Sequence, residues 1–306
     1  MTEITKLFCM SIAEAVYPVQ RRYPDGLQEI RIRVGRPLMV RVEDEKFFVT
    51  PQGRLQTETA GAMLITGDML MKSLELMSNY SLFAYENEIR NGYITVEGGH
   101  RIGLTGRVVT EEGRVRTIRN ISGLNVRIAH ERIGCADSLL PFVQEQGQML
   151  HVLIVSPPGC GKTTLLRDLI RQVSDELKLT VGVVDERSEI GGCYRGVPQC
   201  NVGMQTDILD GCPKAEGMLL LLRSMNPQVI AVDELGSPEE MAAVETVANA
   251  GVKLICTAHS GSLEELRGKP GFRELFGKKL FDRVILLSGR QGAGTIEGIY
   301  ETKRGE

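Results

Sequence analysis

The stretch Ser156-Pro157-Pro158-Gly159-Cys160-Gly161-Lys162-Thr163-Thr164 constrains this chain most, because it follows directly on the apolar run His151-Val152-Leu153-Ile154-Val155. A short apolar run reads as a buried strand, and Leu165-Leu166-Arg167-Asp168-Leu169-Ile170 beyond it has helical spacing. A strand, a glycine-containing turn and Gly-Lys-Thr at the start of a helix together make a phosphate-binding loop. Glycines let backbone N–H groups converge on an anion without interference from a Cβ, and the helix offers its N-terminus to the same charge. In that arrangement Lys162 reaches the β- and γ-phosphates of ATP, and the Thr163 hydroxyl binds Mg²⁺. Ser156 stands where the usual G-x-x-x-x-G-K-T pattern starts with glycine; the tighter geometry rests on the later glycines, Gly159 and Gly161.

Three further apolar runs close in polar residues. Val229-Ile230-Ala231-Val232 ends in Asp233-Glu234. Asp233 at the strand tip would hold Mg²⁺, directly or through its water, and Glu234 would polarise the water that attacks the γ-phosphate. The second acid favours transfer to water over transfer to another substrate. Val181-Gly182-Val183-Val184 ends similarly in Asp185-Glu186-Arg187. Those three are candidates for acids near the metal or for a basic contact, with a surface loop as the alternative. Leu254-Ile255-Cys256-Thr257-Ala258 ends in His259, placed where a polar group would sense the γ-phosphate, although a lone histidine is often structural. Leu287-Ser288-Gly289-Arg290-Gln291 imitates the signature of ABC-transporter ATPases, but it falls after the Asp-Glu strand and between strand-like runs at 283–287 and 295–300, so a hairpin turn is expected.

The alternation of strands at 151–155, 180–185, 228–233 and 252–257 with helices implies a parallel, helix-covered sheet, whose ligand crevice lies at the carboxyl ends of the strands. The first half reads differently. Residues 27–50 alternate apolar and polar around Gly35-Arg36-Pro37, which predicts a hairpin, and Glu97-Gly98-Gly99-His100 predicts another between 93–96 and 101–109. Helical patterns cover Met69–Met77 and Ser81–Arg90. The 306 residues therefore suggest an N-terminal α+β domain, 1–134, and an α/β P-loop domain, 135–306.

Net charge is −3, which gives no general attraction to nucleic acid. Residues 101–132 nevertheless hold seven arginines, no lysine and three acids. The apolar runs are too short to span a bilayer, and the first residues lack the apolar core of a secretory signal. Seven scattered cysteines suit a reducing cytosol, and Cys193, Cys200 and Cys212 lack the paired spacing of a metal site, which favours a loop of free thiols.

The order of phosphate loop, Asp-Glu-Arg strand, Asp-Glu strand and Thr-Ala-His strand resembles the hexameric ATPases of type II and type IV secretion. Gly192-Cys193-Tyr194-Arg195-Gly196-Val197-Pro198-Gln199, Asp210-Gly211-Cys212-Pro213-Lys214-Ala215, Arg223-Ser224-Met225-Asn226-Pro227 and Gly98-Gly99-His100-Arg101-Ile102-Gly103-Leu104-Thr105-Gly106-Arg107 narrow the likeness. Over most of its length the chain resembles the stage III sporulation AA family of endospore-forming bacteria. That resemblance implies a RecA-like core, ATP and Mg²⁺ as ligands, and a ring, expected to be hexameric, with ATP between subunits. It also implies a cytoplasmic ATPase, peripheral at the membrane, docked on membrane-embedded proteins of a channel between mother cell and forespore. By the same analogy an arginine from 101–127, Arg127 among them, or Arg223 would reach the γ-phosphate of a neighbouring subunit. The leading expectation is thus an ATP-hydrolysing motor. A nucleic-acid-binding ATPase is disfavoured by scarce aromatics, 5% of the chain with no Trp. A scaffold that binds ATP with negligible turnover is the third reading.

Overall fold

The computed structural model describes residues 3–302, which divide into two compact units between His130 and Glu131.

In the first unit, helix α1 (Met10–Arg22) precedes strands β1 (Leu27–Arg33), β2 (Met39–Val42), β3 (Glu45–Val49) and β4 (Leu55–Gln56). Helices α2 (Gly67–Met77) and α3 (Glu86–Arg90) come after them, then β5 (Tyr93–Val96), β6 (His100–Glu111) and β7 (Arg114–Arg127). The strands form one antiparallel sheet in the order β4-β3-β2-β1-β7-β6-β5. The alternation Ile30, Ile32, Val40 and Val42 is buried, as a half-covered sheet requires. The span 27–50 contains three strands rather than one hairpin. A second reversal joins β2 to β3 through Glu43 and Asp44, both in the left-handed region at φ 49° and 71°. The helical pattern at 81–90 also divides, into a 3₁₀ turn at Leu82–Tyr85 and the short α3.

The second unit begins with a small hairpin, β8 (Gln144–Glu145) and β9 (Gln148–Met149), before β10 (Val152–Ser156) and α4 (Lys162–Asp175). It continues through β11 (Val181–Asp185), β12 (Thr206–Asp210), α5 (Lys214–Ser224), β13 (Val229–Val232) and α6 (Pro238–Asn249). Then come β14 (Lys253–His259), α7 (Leu263–Gly268), α8 (Pro270–Gly277), β15 (Arg283–Ser288) and β16 (Thr295–Glu301). The sheet order is β12-β11-β13-β14-β10-β15-β16, parallel throughout except for the last pair. β10, β11 and β13 are buried along their whole length, which explains why they read as unbroken apolar runs. Two cores cover the sheet, one holding Leu165, Leu169 and Val173 of α4 and the other Met218 of α5, Val244 of α6 and Leu275 of α8. Because β11, β13, β14 and β10 are neighbours and parallel, Asp185, Asp233, His259 and Ser156 finish in a row along one edge. No helix among the described residues is long and apolar enough to cross a membrane.

Candidate active site

The phosphate loop leaves β10 at Ser156, which is fully buried and donates from Oγ to Pro157 O at 2.8 Å. A side chain rather than a glycine therefore begins the loop, and it is turned inward. Gly159 and Gly161 take φ of 75° and 81°, values an L side chain seldom adopts, and no atom lies within 4 Å of where a Cβ on Gly159 would stand. Gly161 caps the 14-residue α4 with no side-chain capping bond, which leaves the first helical amides to the loop's interior. Thr164 is half-buried in the first turn. Across the loop lies the turn between β15 and β16: Gly294 N donates to Cys160 O at 2.8 Å, and a Cβ on Gly161 would come within 3.2 Å of Ala293. The ABC-like run 287–291 is thus the end of a strand and its hairpin turn.

Lys162 is buried, and its Nζ donates to His259 Nδ1 at 2.9 Å. An ammonium has only donors, so Nδ1 must accept, and Nε2 of the same ring carries hydrogen and donates to Glu234 Oε1 at 2.7 Å. Arg187 Nη1 meets the other carboxylate oxygen of Glu234 at 3.0 Å. A continuous chain of contacts thus runs Lys162, His259, Glu234, Arg187. Burial lowers the Lys162 pKa, with Asp233 and Glu234 opposing it. Burial also resists ionisation of Glu234, but the hydrogen bond from His259, then the charges of Arg187 and Lys162, leave its carboxyl below the usual value. Glu234 is therefore a carboxylate at neutral pH.

A second chain crosses beneath the first. Thr163 Oγ1 donates to Asp233 Oδ2 at 2.6 Å, and Thr257 Oγ1 donates to Asp233 Oδ1 while accepting from Glu234 N at 2.8 Å. A hydroxyl and a carboxylate this close form a hard oxygen pair, which suits Mg²⁺ bound through few protein ligands and several waters. The uncapped helix N-terminus, left-handed glycines and buried lysine suit the phosphates of ATP.

The acidic pair after β11 is arranged differently. Asp185, 2% exposed, accepts from Glu189 N, Ile190 N and Gly191 N at 2.8, 2.9 and 2.8 Å. Burial pushes its pKa up to about 6 against the pull of those amides. Both of its oxygens are committed to the backbone of its own loop. Arg167 of α4 grips the same segment, donating to Ile190 O at 2.5 Å and Glu189 O at 2.6 Å. Glu186 faces Lys214 at 3.7 Å, so of Asp185, Glu186 and Arg187 it is Arg187 that touches Glu234.

Arg223 is exposed near the C-terminal end of α5, the end that leads to the start of β13 and so lies away from the strand tips. Arg127 is exposed on β7 of the first unit. Cys193, Cys200 and Cys212 are free thiols; burial raises the Cys193 pKa to about 12. Among the described residues, no group of three or more His, Cys, Asp or Glu side chains is placed to hold a metal.

The sheet order and the loop at the tip of β10 define a RecA-like α/β fold. The same fold is found in the pilus retraction motor PilT with bound ADP (TM-score 0.58, 16% identity, 89% of this chain and 77% of that one). It is found again in the ATPase DotB of Legionella pneumophila (TM-score 0.57, 16% identity, 85% and 72%). The chain belongs to the family Sporulation stage III, protein AA, whose model matches residues 1–306. It is 40% identical over 305 residues to stage III sporulation protein AA of Bacillus subtilis, covering 98% of this chain and 95% of that protein.

Proposed function

We propose that this chain is an ATPase whose turnover drives subunit motion in a ring, expected to be hexameric. In this reading the ring is peripheral at the cytoplasmic face of a membrane and acts on a mother cell–forespore channel complex through membrane-embedded partners. The observation that carries the reading is the His259 bridge, which joins the Lys162 ammonium to the Glu234 carboxylate through opposite nitrogens of one ring. Lys162 and the loop 156–164 would bind the phosphates, and Thr163 and Asp233 would hold Mg²⁺. Magnesium, when bound, supplies positive charge to the β- and γ-phosphate oxygens. Glu234, ionised at neutral pH, accepts a proton from the attacking water. His259 touches both the base and the lysine, so withdrawal of Lys162 towards phosphate would be felt at Glu234. An arginine from 101–127 or Arg223 would complete the site from the next subunit.

Purified protein should release phosphate from Mg-ATP, and Glu234→Gln should keep nucleotide binding while losing nearly all release. Lys162→Ala should instead weaken binding of fluorescent ADP by about a hundredfold, the loss expected when a buried charged contact to phosphate is removed. Wild-type turnover in Glu234→Gln would remove that residue from the role given to it.

A further inference from the structure

Glu234 occupies a backbone conformation uncommon for a glutamate, with φ of +55°. The contacts around this kink explain how it persists. Thr257 accepts from its amide, and Lys214 Nζ donates to its carbonyl at 2.5 Å. Just beyond, Gly236 N and Ser237 N donate to Glu240 Oε2 at 2.7 and 3.1 Å, while Glu240 Oε1 lies 2.9 Å from Lys214 Nζ. Lys214 and Glu240 together thus bracket the turn after β13. The Lys214 side chain is only 11% exposed.

Helix physics gives no local reason for a lysine at 214. It is the first residue of α5, where the positive end of the helix dipole opposes a cation, and Pro213 at the cap supplies no side-chain hydrogen bond. Glu240 is likewise committed, as the third residue of α6 and the partner of Ser237 in its capping box. The contacts that reward a cation at 214 all lead to the segment carrying Glu234, or to Glu186.

We infer that Lys214 is a positioning residue for the reaction at this site: it clamps the Glu234 carbonyl and the Glu240 carboxylate, fixing the left-handed turn that aims the Glu234 side chain at His259. The inference rests on the reading of Glu234 as the base. It separates Lys214 from Lys162, whose task is the phosphate.

The test compares phosphate release by wild type, Lys214→Met, Glu234→Gln and the double variant, with fluorescent-ADP affinity measured for each. Lys214→Met should lower kcat roughly tenfold to a hundredfold, the scale expected for a misaimed catalytic group, while KM and ADP affinity stay within about twofold. In the Glu234→Gln background the same change should lower single-turnover release by less than about twofold, because nothing is left to aim. Full turnover in Lys214→Met, or an equal loss in both backgrounds, would overturn the inference. If Lys214→Met gives no cooperative unfolding transition, Glu240→Gln loosens the clamp from its other side; unchanged kcat there overturns it, and a loss at constant ADP affinity supports it. Wild-type protein that binds ADP yet releases no phosphate would remove the hydrolytic reading and this role together. Wild-type turnover left intact by Lys214→Met would remove the role of Lys214 alone.

Discussion

β11 and β13 are adjacent, parallel and fully buried, and each delivers an Asp-Glu pair to the same edge of the sheet. Their carboxylates nevertheless have different partners. Asp185 turns back onto three amides of its own loop, whereas Asp233 faces the Thr163 hydroxyl across the phosphate loop. Glu186 has a distant ion pair with Lys214, while Glu234 is held on both oxygens by His259 and Arg187. The difference comes from the connection at the end of each strand. After β13 a tight turn enters α6 at once, so the second acid stays in the site; after β11 a loop of twenty residues precedes β12, and its backbone needs an internal anchor. Identical dipeptides at identical strand ends are thus assigned to chemistry or to architecture by the loops they open.

The two strand tips should differ most in turnover. Glu234→Gln should cost about 10² to 10⁴ in phosphate release, the range for loss of a general base, and Glu186→Gln no more than about threefold. Equal losses would mean that the two tips share the reaction. Next in size is stability, read by urea denaturation. Asp185→Ala strips three amides, two of them buried, of their acceptor and should cost about 3 kcal/mol, whereas Asp233→Ala should cost less than about 1 kcal/mol. The smallest effect is a pH dependence. The Asp185 pKa is raised from 3.8 to about 6, so the folded chain binds this proton where the unfolded chain does not. Its stabilisation is fully present below 3.8 and lost as pH rises through about 6. Wild type minus Asp185→Asn should therefore show a negative slope on the order of 1 kcal/mol per pH unit across that window. A flat difference would mean that the amides outweigh burial.

Much of the second unit was legible because parallel, fully covered strands leave an apolar run that gives way abruptly to polar residues, and each such run marked a tip. The sequence also put Lys162, Thr163, Asp233, Glu234 and His259 at those tips, and the fold brings the five within one hydrogen-bonded cluster. β12 is harder to read because an edge strand is only half covered, and Thr206-Asp-Ile-Leu-Asp has two apolar residues. The β2–β3 reversal was hidden for a related reason: Glu43-Asp44 is not the Asn-Gly or Asp-Gly pair that advertises a two-residue turn. Arg167 acts through backbone carbonyls, and Lys214 partly so, and any sequence possesses carbonyls, so their roles are not announced by a pattern of side chains. The double role of Asp-Glu was invisible for the same reason, since the amides that claim Asp185 belong to residues of unrelated type.

The final strand is the one antiparallel member of its sheet, and that reversal has a consequence for the phosphate loop. A parallel last strand would have needed a crossover leaving the tip edge, whereas a tight hairpin keeps the chain there, and its turn hands the Gly294 amide to the Cys160 carbonyl. The turn between β15 and β16 is therefore stitched to the cradle formed by a segment more than a hundred residues earlier. Whatever bends the outer border of this sheet also pulls on the cradle.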